Sequence, residues 1–184
     1  KPANYSKRFY GPSTLRLGIE KSRNVMTVRL AQAIGMDRIR DMATRFGLER
    51  GLGQNLASAL GSNEVTLLQL TTAYAMLVNH GRLLRPSLVD YVQDRSGKVI
   101  FRADERECTG CNMAQWDGRP MPRFGRRGAQ AMDGRTAYQV VHMLEGVVER
   151  GTATRLRALN MPLFGKTGTS TGPTNAWFVG GSPD

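Results

Sequence analysis

The sequence has no apolar run near the length a membrane-spanning helix requires, about 20 residues, so nothing in it reads as a span. It is poor in soft metal donors, with two cysteines and two histidines. A structural zinc site takes about four ligands, and His80 and His142 fall in helical patterns far from each other and from the cysteines. No cofactor-binding motif stands out, and we expect neither cofactor nor metal. Acidic residues are scarce: 15 Asp and Glu against 26 Lys and Arg, a net charge of +11. Such an excess favours an anionic partner. The basic residues are nonetheless scattered. The densest run, Arg119, Arg123, Arg126 and Arg127, lies among Gly and Pro without interleaved aromatics. No nucleic-acid-binding module accompanies it, so a nucleic-acid partner is not expected, and the charge reads as a solvated basic surface on a membrane-proximal protein. The first residues, Lys1-Pro2-Ala3-Asn4-Tyr5, lack the apolar core of a signal peptide.

What is present fits one domain with a small appendage: 184 residues, 40% apolar. The two cysteines stand as Cys108-Thr109-Gly110-Cys111. A C-x-x-C of this kind serves as a short-loop disulfide, half a metal site or a redox pair; a structural disulfide or inert thiols is the expected use.

The chain opens irregularly. Ser13 is expected to cap a helix carrying Leu15, Leu17 and Ile19, interrupted by Ser22-Arg23-Asn24. A second helix follows to about Gly35, and a third runs from Asp37 to Phe46 with Gly47 as its left-handed cap. Residues 49–63 read as loop. Asn63 is expected to begin the clearest helix, with Val65, Leu67, Leu68, Leu70, Ala73, Tyr74, Leu77 and Val78 on one broad side and Gly81 at its end. Residues 86–93 and 98–102 predict a hairpin around Asp94-Arg95-Ser96-Gly97. Residues 103–132 read as a long insertion. Asp133 caps another expected helix through Glu149, with Tyr138, Val141, Leu144, Val147 and Val148 as its apolar stripe. Residues 161–170 and 175–181 read as two strands joined by a turn at Thr171-Gly172-Pro173-Thr174. Helices first and strands late make this α+β.

Chemistry concentrates in two places. Lys166-Thr167-Gly168-Thr169 offers a point charge for a carboxylate, two hydroxyls, and a Thr169 backbone N–H able to face an oxyanion. Alternation along a strand sets Lys166 and Gly168 on one side and Thr167 and Thr169 on the other. Gly168 in a strand often marks close approach of another backbone, as when an extended peptide adds to a sheet edge. Ser22-Arg23-Asn24 taken alone reads as helix capping. Together, an S-x-N between two helices and a K-T-G strand followed by an aromatic-rich strand are two of the three signature elements of penicillin-binding proteins and β-lactamases.

On these residues the chain resembles the penicillin-binding transpeptidase domain, especially that of class A bifunctional peptidoglycan synthases. Further stretches carry the likeness: Pro2-Ala3-Asn4-Tyr5, Ser13-Thr14-Leu15-Arg16, Leu60-Gly61-Ser62, Glu64-Val65-Thr66, Ala73-Tyr74-Ala75, Asn79-His80-Gly81 and Gly151-Thr152-Ala153. The resemblance implies a partial penicillin-binding/serine β-lactamase-like fold, a helical subdomain plus an incomplete antiparallel sheet. It implies that Ser22 relays protons near the nucleophile and Asn24 binds a substrate amide. Lys166, Thr167 and Thr169 would hold the terminal carboxylate of a peptidoglycan stem peptide or a β-lactam, with Gly168 beside them in the substrate-binding strand and Lys166 counted with Ser22 and Asn24 as catalytic. The third signature element, S-x-x-K, is absent: no serine in the chain has Lys three residues on. The family also often has Asp where Asn175 stands.

We therefore expect a partial transpeptidase domain over 1–184, its nucleophile-bearing part and its last strand and helix lying elsewhere in a longer, membrane-anchored protein with a glycosyltransferase domain. The parent would be a serine D,D-transpeptidase on the periplasmic face of the inner membrane; this chain alone would be inactive and would form oligomers through open sheet edges. A D,D-carboxypeptidase or β-lactamase relative, or a noncatalytic scaffold, is the alternative.

Overall fold

The computed structural model describes residues 3–48, 52–104, 106, 111, 113–120, 128–170 and 175–182. It falls into two compact units, one made of 1–84 with 129–184 and a second made of 85–128.

The first unit opens with three helices: α1 Leu15–Glu20, α2 Asn24–Ile34 and α3 Met36–Arg45. Thr14, not Ser13, caps α1, its Oγ1 accepting from the Leu17 N–H at 3.2 Å, while Ser13 Oγ turns back to the Gly11 carbonyl. Gly35 closes α2 and Gly47 follows α3, both with positive φ, as their sequence positions predict. The expected loop before residue 63 contains a short 3-10 turn, Leu56–Leu60, capped by Asn55. Helix α4 is Leu67–Val78 and begins four residues later than expected. Asn63 resembles a cap in isolation, but Thr66 and Gln69 form the reciprocal capping box that starts the helix. Its apolar residues do not share one face: Ala73 and Met76 are buried, whereas Leu67 and Leu68 are more than half exposed.

Helix α5, Gly134–Glu149, is the axis of the unit. Asp133 caps it, accepting from the Arg135 and Thr136 N–H groups. Ala137, Leu144, Val147 and Val148 form its buried stripe. Tyr138, expected in that stripe, is one residue off it and exposed, stacking on His142 with ring centroids 6.1 Å apart. Strands β3 Phe164–Thr169 and β4 Ala176–Gly181 pair antiparallel from Phe164↔Gly181 to Thr169↔Ala176. Leu144, Val147, Val148, Ala153 and Phe164 make one core cluster that binds β3 to α5. Burying a side chain such as Val147 contributes about 1.5–3 kcal/mol. Phe46, Ala73, Met76 and Ala131 make a second cluster, and Leu77 borders both. The turn expected at 171–174 lies outside the described residues.

The second unit holds the expected hairpin in shorter form, β1 Tyr91–Gln93 and β2 Val99–Arg102. Asp94 Oδ1 organises its turn, accepting from the Ser96 N–H and Oγ and the Lys98 N–H. Cys111 is disulfide-bonded; Cys108 lies outside the described residues. The described elements, helices with small antiparallel sheets, are those of an α+β chain.

Candidate functional site

Ser22 stands in the three-residue break between α1 and α2 with φ +50°, in the left-handed region. That conformation turns its side chain away from the helix start. Neither Ser22 nor Asn24 caps α2: its N-cap is Arg23, with no side-chain cap bond. Ser22 Oγ instead accepts from Lys166 Nζ at 2.8 Å, joining residues 144 apart in sequence. Asn24 Nδ2 donates to the Ala3 carbonyl at 3.2 Å, and Asn4 Oδ1 accepts from the Val25 N–H at 3.1 Å. The chain's opening segment is thereby strapped across the start of α2.

Lys166 also donates to the Thr167 carbonyl at 2.9 Å. Among the described residues no carboxylate lies within ion-pair distance of it; its bonded neighbours are neutral oxygens. Burial pushes its pKa below the ordinary lysine value, because the ammonium is taken from water without a counter-charge. A partly buried cation with no acidic partner among the described residues is a place where an anionic ligand is favoured.

The ladder fixes which backbone groups face outward. Ser170 N–H donates to the Asn175 carbonyl across the strand pair. Antiparallel pairs alternate, so Gly168 and Lys166 bond toward β4, while the N–H and C=O of Thr167 and Thr169 point to the open edge of β3. The Lys166 bond to the Thr167 carbonyl agrees with this. The same alternation makes Gly165 and Gly180 a closely spaced pair. A Cβ on Gly180 would press on the Phe164 carbonyl oxygen, and one on Gly165 would press on the Phe178 ring and the Val179 carbonyl oxygen. Gly168 is different: a Cβ there meets nothing within 4 Å.

Several site residues carried no clear functional signal in the sequence. Glu20, at the end of α1, is 3% exposed. It accepts two bonds from Arg150, at 2.7 and 3.1 Å, in a bidentate pair. Lys21 Nζ donates to the Arg150 carbonyl, and the Glu20 carbonyl accepts from the Thr152 N–H at 3.1 Å. Gly146 and Gly151 lie flush against Glu20, where a Cβ would not fit. Thr152 Oγ1 and Thr167 Oγ1 are 2.6 Å apart. Arg23 lies over the Tyr10 ring at 3.1 Å. Glu20 sits in an apolar-periodic helix and its partner is 130 residues away, so no local pattern announces it. A small cavity of about 210 Å³ opens beside Ser22, lined by Asn4, Tyr5, Ser6, Tyr10, Lys21 and Arg23. The larger apolar cavity of about 610 Å³, between α3 and Met132, contains none of these site residues.

A neutral hydroxyl held by a partly buried lysine, beside a strand edge that is unpaired among the described residues, can bind an extended, anionic chain end. Comparison with known proteins agrees. A family model described as penicillin binding protein transpeptidase domain matches residues 2–184. The chain is 40% identical over 185 residues to penicillin-binding protein 1A of Rickettsia bellii, covering all of this chain and 23% of that protein. It superposes on penicillin-binding protein 1A from Haemophilus influenzae with a TM-score of 0.79 at 27% identity, covering 97% of this chain and 30% of that one. It superposes on the D,D-transpeptidase domain of a peptidoglycan glycosyltransferase from Eggerthella lenta with a TM-score of 0.73 at 25% identity, covering 98% and 48%. The chain thus spans about a quarter of the length of the first of these relatives.

Proposed function

Since this chain belongs to the penicillin-binding protein transpeptidase domain family, we propose that it forms the carboxylate-binding side of a serine D,D-transpeptidase site that cross-links peptidoglycan and is acylated by β-lactams. The observation that carries this reading is the Lys166–Ser22 contact at 2.8 Å, made by a lysine with no acidic partner among the described residues.

In this reading Lys166 and Thr167 receive the terminal carboxylate of a stem peptide, and Gly168 lets the peptide lie close along β3. Thr169 adds its hydroxyl to the carboxylate and its outward N–H to the oxyanion hole. Ser22, touching Lys166, relays a proton, and Asn24 turns from Ala3 to bind a substrate amide. The nucleophile is a serine of a part of the protein outside these 184 residues, since no S-x-x-K occurs here. Its hydroxyl oxygen attacks the carbonyl of the penultimate D-Ala. The C–N bond breaks, the serine proton passes to the leaving amine, and D-Ala departs. The amine of a neighbouring stem peptide then attacks the ester, forms the new amide and returns a proton to serine. The parent protein is anchored in the inner membrane, facing the periplasm, and carries a glycosyltransferase domain. The Eggerthella relative, named as the transpeptidase domain of a peptidoglycan glycosyltransferase, supports that coupling.

The test is covalent labelling. A fluorescent penicillin should label the full-length protein and leave this chain unlabelled. Lys166→Ala in the full-length protein should slow acylation by about 100-fold, the scale of losing a charged hydrogen-bonding partner. Unchanged acylation of Lys166→Ala would remove Lys166 from the site, and labelling of this chain would place the nucleophile within it.

A further inference from the structure

We infer that Thr152 is a positioning residue for anion binding: it donates its hydroxyl proton to Thr167 Oγ1 and so turns the Thr167 proton outward, toward a ligand carboxylate. The inference rests on the proposed reading of Thr167 as a carboxylate ligand, and deepens it.

Each hydroxyl has one proton to give. The two oxygens stand 2.6 Å apart, and either one can be the donor. A carboxylate only accepts, so with one bound at Thr167 the Thr167 proton goes to the ligand. The proton within the pair must then come from Thr152. Donation into Thr167 Oγ1 holds its rotamer and strengthens its outward bond, since linked hydrogen bonds polarise one another.

Thr152 is built to do this. Its N–H is tied to the carbonyl of buried Glu20 at 3.1 Å. Two residues before it, Arg150 is clamped by both Glu20 carboxylate oxygens and by Lys21 on its carbonyl. The intervening Gly151 lies against the Glu20 carbonyl and Val147, where a Cβ would not fit. On the other side of the same clamp, two residues after Glu20, Ser22 meets Lys166. One ion pair, buried at its Glu20 end and half exposed at its Arg150 end, therefore flanks both hydroxyls that contact β3, one on Lys166 and one on Thr167. A hydroxyl fixed by its surroundings rather than by its ligand costs less to order on binding.

The experiment compares acylation of the full-length protein by a penicillin with a free carboxylate and by its methyl ester. Variants are Thr152→Val, Thr152→Ala and Thr152→Ser, each with a thermal melt. The wild type should prefer the acid. Thr152→Val and Thr152→Ala should lower the second-order rate constant for the acid by about tenfold. The loss should fall on the affinity of the first complex rather than on the rate at saturation. The ester should be little affected, and Thr152→Ser should restore the preference. A wild type that does not distinguish acid from ester would overturn the carboxylate reading of Thr167 and this inference with it. A discriminating wild type whose preference persists in Thr152→Val and Thr152→Ala would overturn the inference alone. If Thr152→Val does not fold, Thr152→Ala decides, and equal losses for acid and ester would reduce Thr152 to a structural part.

Discussion

Lys166 is the residue on which site and stability meet. Its pKa is lowered by burial, so over the window between the folded value and the ordinary lysine value the unfolded chain binds more protons. Stability must then rise with pH across that window. Below it the buried ammonium is a standing cost; above it both states are neutral and the cost is gone. Lys166→Met removes the titration. We expect the stability of the wild type relative to Lys166→Met to increase as the pH rises toward the ordinary lysine value, measured by urea melts at each pH. Parallel changes in the two proteins would contradict this account. A bound carboxylate should weaken this pH dependence, because it stabilises the charged lysine and makes binding take up protons. Lys166, Thr167 and Ser22 were legible in the sequence because their residue types and order form a rare combination. Glu20 was not, because it hides among the apolar positions of a helix, and Thr152 was legible only as part of the Gly151-Thr152-Ala153 likeness, with no role attached. Both acquire their roles only from chain segments brought near by folding.

At the scale of elements, the ends that local chemistry dictates were readable, and those that depend on competing signals were not. Asp133, Gly35 and Gly47 mark their helices correctly. Asn63 lost to the Thr66–Gln69 box because a reciprocal pair satisfies backbone groups at both its ends. Thr66→Ala should therefore cost about 1 kcal/mol by urea denaturation, and Thr66→Ser only a few tenths; equal stability for all three would deny the cap its role. The strand pair β3–β4 makes a sharper contrast between glycines. Gly180→Ala drives a methyl into the Phe164 carbonyl, backbone that cannot swing aside, and should destabilise by about 1–3 kcal/mol. Gly168→Ala enters open space and should fall within about 0.5 kcal/mol of wild type. In the full-length protein it should still slow β-lactam acylation, because the added methyl stands where a ligand would lie. A Gly168→Ala protein acylated at the wild-type rate would show that no ligand approaches there.

At the scale of the molecule, the α+β class followed from element order, and the division into units did not. The second unit begins at Arg85 and takes in the hairpin as well as most of the 103–132 stretch. No composition shift marks that boundary, since the hairpin strands resemble any other short strand. The sheet that carries the site has two strands, with the outer edge of β3 unpaired among the described residues and Trp177 on β4 58% exposed. Unpaired edges recruit other chains. We expect this chain to form oligomers at micromolar concentration, read by light scattering across a dilution series; a monomer throughout would mean that the edge is protected.

The contact between Ser22 and Lys166 closes a loop of 144 residues. Closing so long a loop costs chain entropy, and the Glu20–Arg150 and Glu20–Thr152 contacts close nearly the same loop beside it. The site is therefore a gauge of the finished fold. Fraying of α1, of the turn after α5 or of β3 releases it, and hydrogen exchange in any of the three should report the same opening. A chain that has reached only part of its structure does not hold a weaker form of this contact; it holds none.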